Sequence, residues 1–578
     1  MRDHVRLALS GDLSLARASR RVRGRGVAAA VLARRPRGGV LWWLPVACAA
    51  VYAVAALVDF HELITSVYVN SDAALAPVLG QAAAGIPAGS YVSLGNHAWY
   101  EEWLLLLASR GLPARRQLWE LAPMLWSVAG LAALVWSTRR AMDAWSAALC
   151  AAALVCVGAF GRFCFLAINW HSLTVVHTVA ISAALVWLVP RLGSISWPRL
   201  TAAGMTLGLL SALPTASDSL FPFWALIPLA GTTAVLVRGA TPRIRGRLLA
   251  FTTLTFVVAV AGALVIADAM RHAGVTSRAL PVALVAGGIG HNLELLAESY
   301  AYLAGGRIVA PSLHLQSLLA TATAALVLVA LLLVLDQVRR IAAGRWPPPG
   351  ITDVQLAYVA FWAMSLIATS LVFLLTDAPK DALAGRYLLA GYTAIAALLP
   401  LVAARGVRMR TLVTAGVCAF AAIAAFQLIR RPFVVITSPE VSVRFPGPAT
   451  AAALVRFARQ EGVSRGYAGY WDAEQLTWGT RFSVLVRPVR VCSARSHSLC
   501  YPQLGMISSW YTPQPNARSL LVVDSLGTSY NGVLARDPAL GRPLASRRLG
   551  YITVYVYSYD IAARLARPRC NFSWAHPC

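Results

Sequence analysis

Lysine and acidic charge are what this chain has least of. Lys380 is its one lysine, charged residues of all kinds fill 13% of the 578 positions, and Asp+Glu number 24 against 51 Lys+Arg. Water-soluble domains carry roughly a quarter charged residues, so an ordinary cytosolic enzyme is excluded. Several motifs are missing as well. There is no GxxxxGK[ST] phosphate loop, no GxGxxG fingerprint, no HExxH pair and no GxSxG nucleophile turn. Each of those supplies a particular geometry for phosphate, zinc or an activated serine, so nucleotide-driven and standard hydrolase chemistry lose support.

What the chain does have is apolar length. Hydrophobic residues make up 58% of it and the mean hydropathy is +0.63, which is incompatible with a disordered chain. A net charge of +27 would suit nucleic acid, but the arginines fall between long apolar runs, which is a membrane pattern. No nucleic-acid partner is expected. A helix needs roughly 20 apolar residues to cross about 30 Å of hydrocarbon. Runs of that kind lie near 40–60, 118–137, 143–161, 173–190, 199–215, 220–237, 248–268, 314–335, 354–375, 386–403 and 411–429. The sequence therefore predicts an all-α polytopic bundle of about eleven transmembrane helices. No cleavage pattern precedes the first run, which reads as an uncleaved anchor behind a basic leader, residues 1–39.

Arginines set the orientation. The leader is rich in them, and so is every second loop: Arg139 and Arg140; Arg191 and Arg199; Arg238, Arg243, Arg245 and Arg247; Arg339, Arg340 and Arg345; Arg405, Arg408 and Arg410. The positive-inside rule places these segments and the N-terminus in the cytoplasm of a multi-pass plasma-membrane protein. An odd number of spans then puts residues 430–578 outside. The remaining loops hold most acids and histidines of the membrane region, among them Asp59, Glu62, Asp72, Glu101, Glu102, Asp218, His97, His171, His177 and His291. Clustered ionisable groups beside a bilayer predict an outward-facing polar site.

Composition changes abruptly at 430. A helix is expected over 447–461, and strands over 483–491, 519–524 and 551–558, so residues 430–578 read as a small extracytoplasmic α/β domain. Cys492, Cys500, Cys570 and Cys578 lie in it. Four cysteines there suit an oxidising compartment and two disulfides, Cys492–Cys500 and Cys570–Cys578 being the simplest of three pairings. Their spacing lacks the CxxC doublets of a zinc site, so no metal is assigned to them.

The first external loop, 61–117, is long for a connection in a compact bundle, and such loops carry function. It reads as two short amphipathic helices lying at the interface. Asn70 and Asp72 stand in the first, where an acid just before a helix is also an ordinary N-cap; His97, Glu101 and Glu102 stand in the second. Further partners come from His171, His177 and Asp218. His291 and Glu294, with Glu298, share one face of a helix and could hold a divalent cation, although a polar stripe on an interfacial helix also explains them. Lys380 and Arg386 stand at the outer mouth of the tenth span, where cations hold a phosphate or act as headgroup anchors. Tyr470, Trp471, Trp478, Trp510 and Tyr511 would stack on sugar rings, or else form the small domain's core.

Local stretches NSDAALAPVL, GNHAWYEEWLLLL, RRQLWELAP, NWHSLTVVHT, SDSLF and GRYLL resemble an uncharacterised actinobacterial set within the GT-C superfamily of integral-membrane glycosyltransferases. The layout is similar over about residues 40–430: a basic leader, one anchor span, a long outer loop with a carboxylate, many further spans and an external C-terminal domain. The resemblance implies a transferase that moves a sugar from a polyprenyl-phosphate donor to a glycan, lipid or protein acceptor outside the membrane. It also implies an acidic base in the first external loop, and Asp72 is the matching position. The family's double acidic pattern is absent, since Ser71 precedes Asp72 and Ala73 follows, which leaves Asp59, Glu62, Glu101 and Glu102 as rival bases. A lipid-linked glycan flippase or polymer ligase, and a non-catalytic envelope assembly protein, are the alternatives.

Overall fold

A computed structural model describes residues 43–58, 71–83, 87, 90–94, 99–101, 104, 116–166, 170–276, 283–285, 288–308, 314–340, 351–430, 448–493, 496–502, 505–524 and 538–565. Its membrane part begins with α1 (Leu44–Val58), α2 (Ser71–Ala83) and β1 (Val92–Ser93), followed by α3 (Arg116–Ala141), α4 (Ala144–Val155), α5 (Ala159–Leu166), α6 (Ser172–Leu188) and α7 (Trp197–Ser217). It continues with α8 (Ile227–Val237), entered through a π turn at Pro222–Leu226, then α9 (Pro242–His272), β2 (Val275–Thr276), α10 (Ile289–Leu303), α11 (Leu315–Arg340) and α12 (Asp353–Leu375). A 3-10 stretch at Ala382–Leu388 leads into α13 (Leu389–Ala403), and α14 (Val407–Arg430) closes the bundle. Among the described residues, eight helices are long and apolar enough to cross a membrane, nine if the bent pair α4–α5 is one span, with the shorter apolar helices Leu44–Ala56 and Pro222–Val237 beside them.

Helix ends follow local chemistry. Asp143 caps α4 by accepting from the Ser146 amide at 2.7 Å, and Thr352 and Gln355 form a reciprocal capping box at the start of α12. The run expected as one span at 143–161 is instead broken: α4 and α5 meet at 99°. Glycine explains the break. A Cβ on Gly158 would collide with the backbone of Gly305, so two loops approach there at a distance only glycine permits. The bundle's centre is α13, buried along almost its whole length by small and branched side chains.

The loops sort into two ends. At one, Arg247 donates to the Leu192 carbonyl, Arg405 binds Gln337 at 2.8 Å and Asp336 at 3.0 Å, and Arg410 lies 4.2 Å over the Trp145 ring. The arginine-rich loops thus gather together. At the other end, β1 pairs in parallel with β2 and antiparallel with β6 (Met506–Ile507), so that loop segments and the C-terminal domain share one small sheet.

The C-terminal domain contains α15 (Pro448–Gln460), β3 (Arg465–Gly469), α16 (Tyr470–Gly479), β4 (Leu485–Ser493), β5 (Ser496–Cys500), β7 (Ser519–Asp524), β8 (Ala545–Leu549) and β9 (Ile552–Tyr557). Its six strands run in the order β5-β4-β3-β7-β9-β8, with β3 parallel to β4 and β7. Leu454 and Phe457 of α15 and Leu476 of α16 meet Val486, Leu520, Val554 and Val556 in one core, so both helices cover the same sheet face. Cys492 and Cys500 form a disulfide; Cys570 and Cys578 lie outside the described residues.

The loop that follows α1 departs from expectation. α2 does not lie on lipid: Ala74, Leu75, Val78 and Leu79 are all buried, and Leu75 lies with Tyr470 of α16 around Gly505. A helix without a free apolar face has nothing to offer the interface. The stretch expected to hold a second helix begins with β1, and its described residues 99–101 and 104 are helical.

Candidate functional site

The most densely connected polar cluster of the described residues sits at the start of α6, at the end of the bundle that meets the C-terminal domain. His171 precedes the helix in a left-handed conformation (φ 67°), uncommon for a residue with a side chain. This backbone turn directs the imidazole sideways, away from the cap position, and Nδ1 donates to Asp218 Oδ2 at 2.7 Å. The Thr174 hydroxyl donates to the same oxygen at 2.6 Å, and the Leu220 amide donates to Oδ1 at 3.0 Å. Asp218 and His171 are each 2% exposed or less. Burial pushes the Asp218 carboxyl up, but the charge of His171 and the hydrogen bonds from His171, Thr174 and Leu220 outweigh it and hold the group below its ordinary value.

With His171 turned away, another residue caps the helix. Glu101 Oε1 accepts the Leu173 amide at 2.8 Å, so a carboxylate from the first loop meets the positive end of α6. Tyr100 joins the cluster through Thr174 at 3.3 Å and His177 Nδ1 at 3.4 Å, and the same nitrogen lies 2.9 Å from the Leu173 carbonyl. The rings of Trp224 and Tyr387 stand edge-on to His171 at 5.6 and 5.7 Å.

Arg386 brings a cation to this place. Its guanidinium lies 4.8 Å over Trp170 and 4.9 Å over Tyr387 and donates to the Tyr387 hydroxyl at 2.9 Å. Trp170 is itself held edge-on by Phe163 at 4.6 Å. A half-buried guanidinium clamped on two rings is pre-oriented, and its planar fork matches a phosphate.

Of the residues singled out in the sequence, Glu101, His171, His177, Asp218 and Arg386 thus come together. His291 and Glu294 stand on the exposed face of α10, whose buried face carries Asn292, Leu295 and Leu296, and Lys380 is exposed. Asp72 is the second residue of α2, and its side chain lies outside what is described. Asn70, His97 and Glu102 also fall outside the described residues. Trp478, Trp510 and Tyr511 are core residues of the small domain, unavailable for stacking on a sugar. Tyr100, Thr174, Trp224 and Tyr387 were not expected. Thr174 had a faint signal, one turn after His171 on the same helix face, but the others approach only through packing.

Among the described residues a cation finds no ligand set here. The oxygens of Glu101 and Asp218 receive hydrogen bonds from within the fold, and among the described residues no three His, Cys, Asp or Glu side chains are placed to hold a metal.

No protein-family model and no curated protein matches the chain. Among solved structures it is similar to ArnT from Cupriavidus metallidurans bound to undecaprenyl phosphate, at 11% identity over 89% of this chain and 99% of that one, with a TM-score of 0.47. The apo state of the same protein gives 13% identity, 90% and 100% coverage, and 0.48. The Archaeoglobus fulgidus oligosaccharyltransferase tethered with an acceptor peptide gives 13% identity, 84% and 70% coverage, and 0.43.

Proposed function

We propose that the protein is a membrane glycosyltransferase of the GT-C kind, taking its sugar from a polyprenyl-phosphate donor at the extracytoplasmic end of the bundle. The observation that carries this reading is the Arg386 guanidinium stacked on Trp170 and Tyr387 beside the buried His171–Asp218 pair. The arginine-rich loops gather at the opposite end, which the positive-inside rule assigns to the cytoplasm. Nucleotide sugars are cytoplasmic, so a site at the far end calls for a lipid-carried donor.

In this mechanism Asp72 takes the proton of an acceptor hydroxyl as its oxygen attacks the anomeric carbon. The bond from that carbon to the phosphate oxygen breaks, the lipid phosphate leaves with the electron pair, and the carbon inverts in a single displacement. Arg386 neutralises the charge that grows on the leaving phosphate. The hydrogen bonds of Glu101 and Asp218 give both a structural task, which favours Asp72 over Glu101 as the base.

The test is transfer from a radiolabelled polyprenyl-phosphate sugar by purified protein in lipid. An enzyme releases lipid phosphate, whereas a flippase or scaffold leaves the donor intact. Asp72→Asn should lower the rate by about 10²–10⁴-fold with membrane insertion unchanged. Arg386→Gln should lower it by about 10²-fold. Unaltered transfer by Asp72→Asn removes that residue from the chemistry, and donor left intact by the native protein removes the transferase reading.

A further inference from the structure

The C-terminal end of α15 gathers arginines from three separate stretches of the chain. Arg456 and Arg459 stand one turn apart on its exposed face. Arg547 of β8 reaches it, donating to Gln460 Oε1 at 3.3 Å with its guanidinium 6.0 Å over Phe457. Arg518, just before β7, donates to the Glu461 carbonyl at 3.4 Å; Arg548, next to Arg547 on the strand and paired with Thr553, is on the opposite face of the sheet and is not part of the cluster. Arg456, Arg459, Arg518 and Arg547 are all exposed, and none takes part in an ion pair among the described residues.

Two ordinary explanations cover part of this. Charge on an edge strand guards against pairing with another chain, and β8 is at the sheet's edge; that accounts for Arg547 and Arg548. Cations also suit the last turn of a helix, which accounts for Arg459. Neither explains why Arg518 and Arg456 join them, or why Glu461 is the one acidic residue among these segments.

We propose that this patch binds an anionic polymer whose repeat carries phosphate or carboxylate groups. Guanidinium is the side chain that grips both groups with two parallel hydrogen bonds, and an array of four presents such grips along one exposed surface. A lipid surface is disfavoured because membrane-docking patches also insert apolar side chains, and Leu544 is the single large exposed hydrophobic residue of the described domain. Nucleic acid is disfavoured because the patch presents no exposed aromatic ring for base stacking, and because the Cys492–Cys500 disulfide belongs to an oxidising compartment. The inference is independent of the glycosyl-transfer chemistry.

Full-length protein in neutral-lipid nanodiscs is tested by interferometry against immobilised polygalacturonate and polyphosphate, with dextran as the neutral control. Retention on at least one polyanion, absent on dextran, is expected, and the two polymers separate carboxylate from phosphate recognition. An exposed ion pair is worth about 2.3-fold, so Arg456→Gln/Arg459→Gln/Arg518→Gln/Arg547→Gln should bind about 30-fold more weakly. The single change Arg456→Glu should cost about fivefold and tests the patch even if the quadruple variant misfolds. Arg238→Gln/Arg243→Gln/Arg245→Gln/Arg339→Gln removes the same charge from the other end of the bundle and should bind as the native protein does. Equal losses in the two quadruple variants, no retention on either polyanion, or tighter binding to phosphatidylglycerol vesicles or RNA would overturn the proposal.

Discussion

Replacing Asp218 by Asn probes the centre of the polar cluster with almost no change in volume. The native carboxylate accepts from three donors: the His171 imidazole, the Thr174 hydroxyl and the Leu220 amide. An asparagine keeps one acceptor oxygen and turns two N–H donors toward the same surroundings. The Thr174 hydroxyl can rotate away, but either the His171 or the Leu220 N–H then faces another donor. Losing one charge-assisted hydrogen bond and stranding one buried donor costs about 2–4 kcal/mol. Asp218→Ala removes every acceptor from a buried pair and should cost about 3–5 kcal/mol. Thermal unfolding of purified protein in detergent measures both, with His171→Gln and the double variant completing a cycle whose coupling should reach about 2 kcal/mol. Because the native Asp218 pKa lies below its unfolded value, the stabilisation is complete above about pH 5 and disappears as pH falls through the native value. Burial also shields the pair from salt, so 0.5 M NaCl should leave the difference unchanged. A midpoint for Asp218→Asn equal to the native one, or a loss that salt erases, would refute the reasoning.

Two other predictions concern the broken helix and the small domain. Gly158→Ala would push a methyl group into the backbone of Gly305, and the variant should lose about 3 kcal/mol or fail to accumulate in the membrane, as thermal midpoint and yield will show. Asp472, buried and then opposed by the charge of Asp524, has its carboxyl raised to about 7. Its native pKa exceeds the unfolded value, so stability should fall as pH rises from about 4 to 8. Asp472→Asn should flatten that dependence and raise the midpoint at pH 8, while a native protein with no such slope would contradict it.

Periodicity and charge made the membrane part legible. Long apolar runs leave a chain no alternative to helices in lipid, and the helices from α3 to α14, apart from the broken α4–α5 pair and from α10, which no apolar run announced, fall within a few residues of the runs that announced them. The break at Gly158 escaped notice because hydropathy averages over it; the cause is a close approach to Gly305, far away in sequence. In the small domain, β7 stood out as a short apolar run, and β9 by its alternating aromatic and branched residues. β3, reading RGYAG, did not, since its strand character comes from hydrogen bonds on both sides.

The same division runs through the site. Residue types and spacing were enough to mark His171, His177, Asp218 and Arg386 as chemistry-bearing positions between apolar spans. Roles were another matter. Glu101 looks like a rival base until its oxygen is seen on the Leu173 amide, and Arg386 looks like a headgroup anchor until Trp170 and Tyr387 are seen beneath it. A sequence fixes which groups carry charge and which segments must leave water, because both follow from local composition. Which donor meets which acceptor depends on atoms a few ångströms apart but dozens of residues distant, and only packing in three dimensions chooses among those pairings.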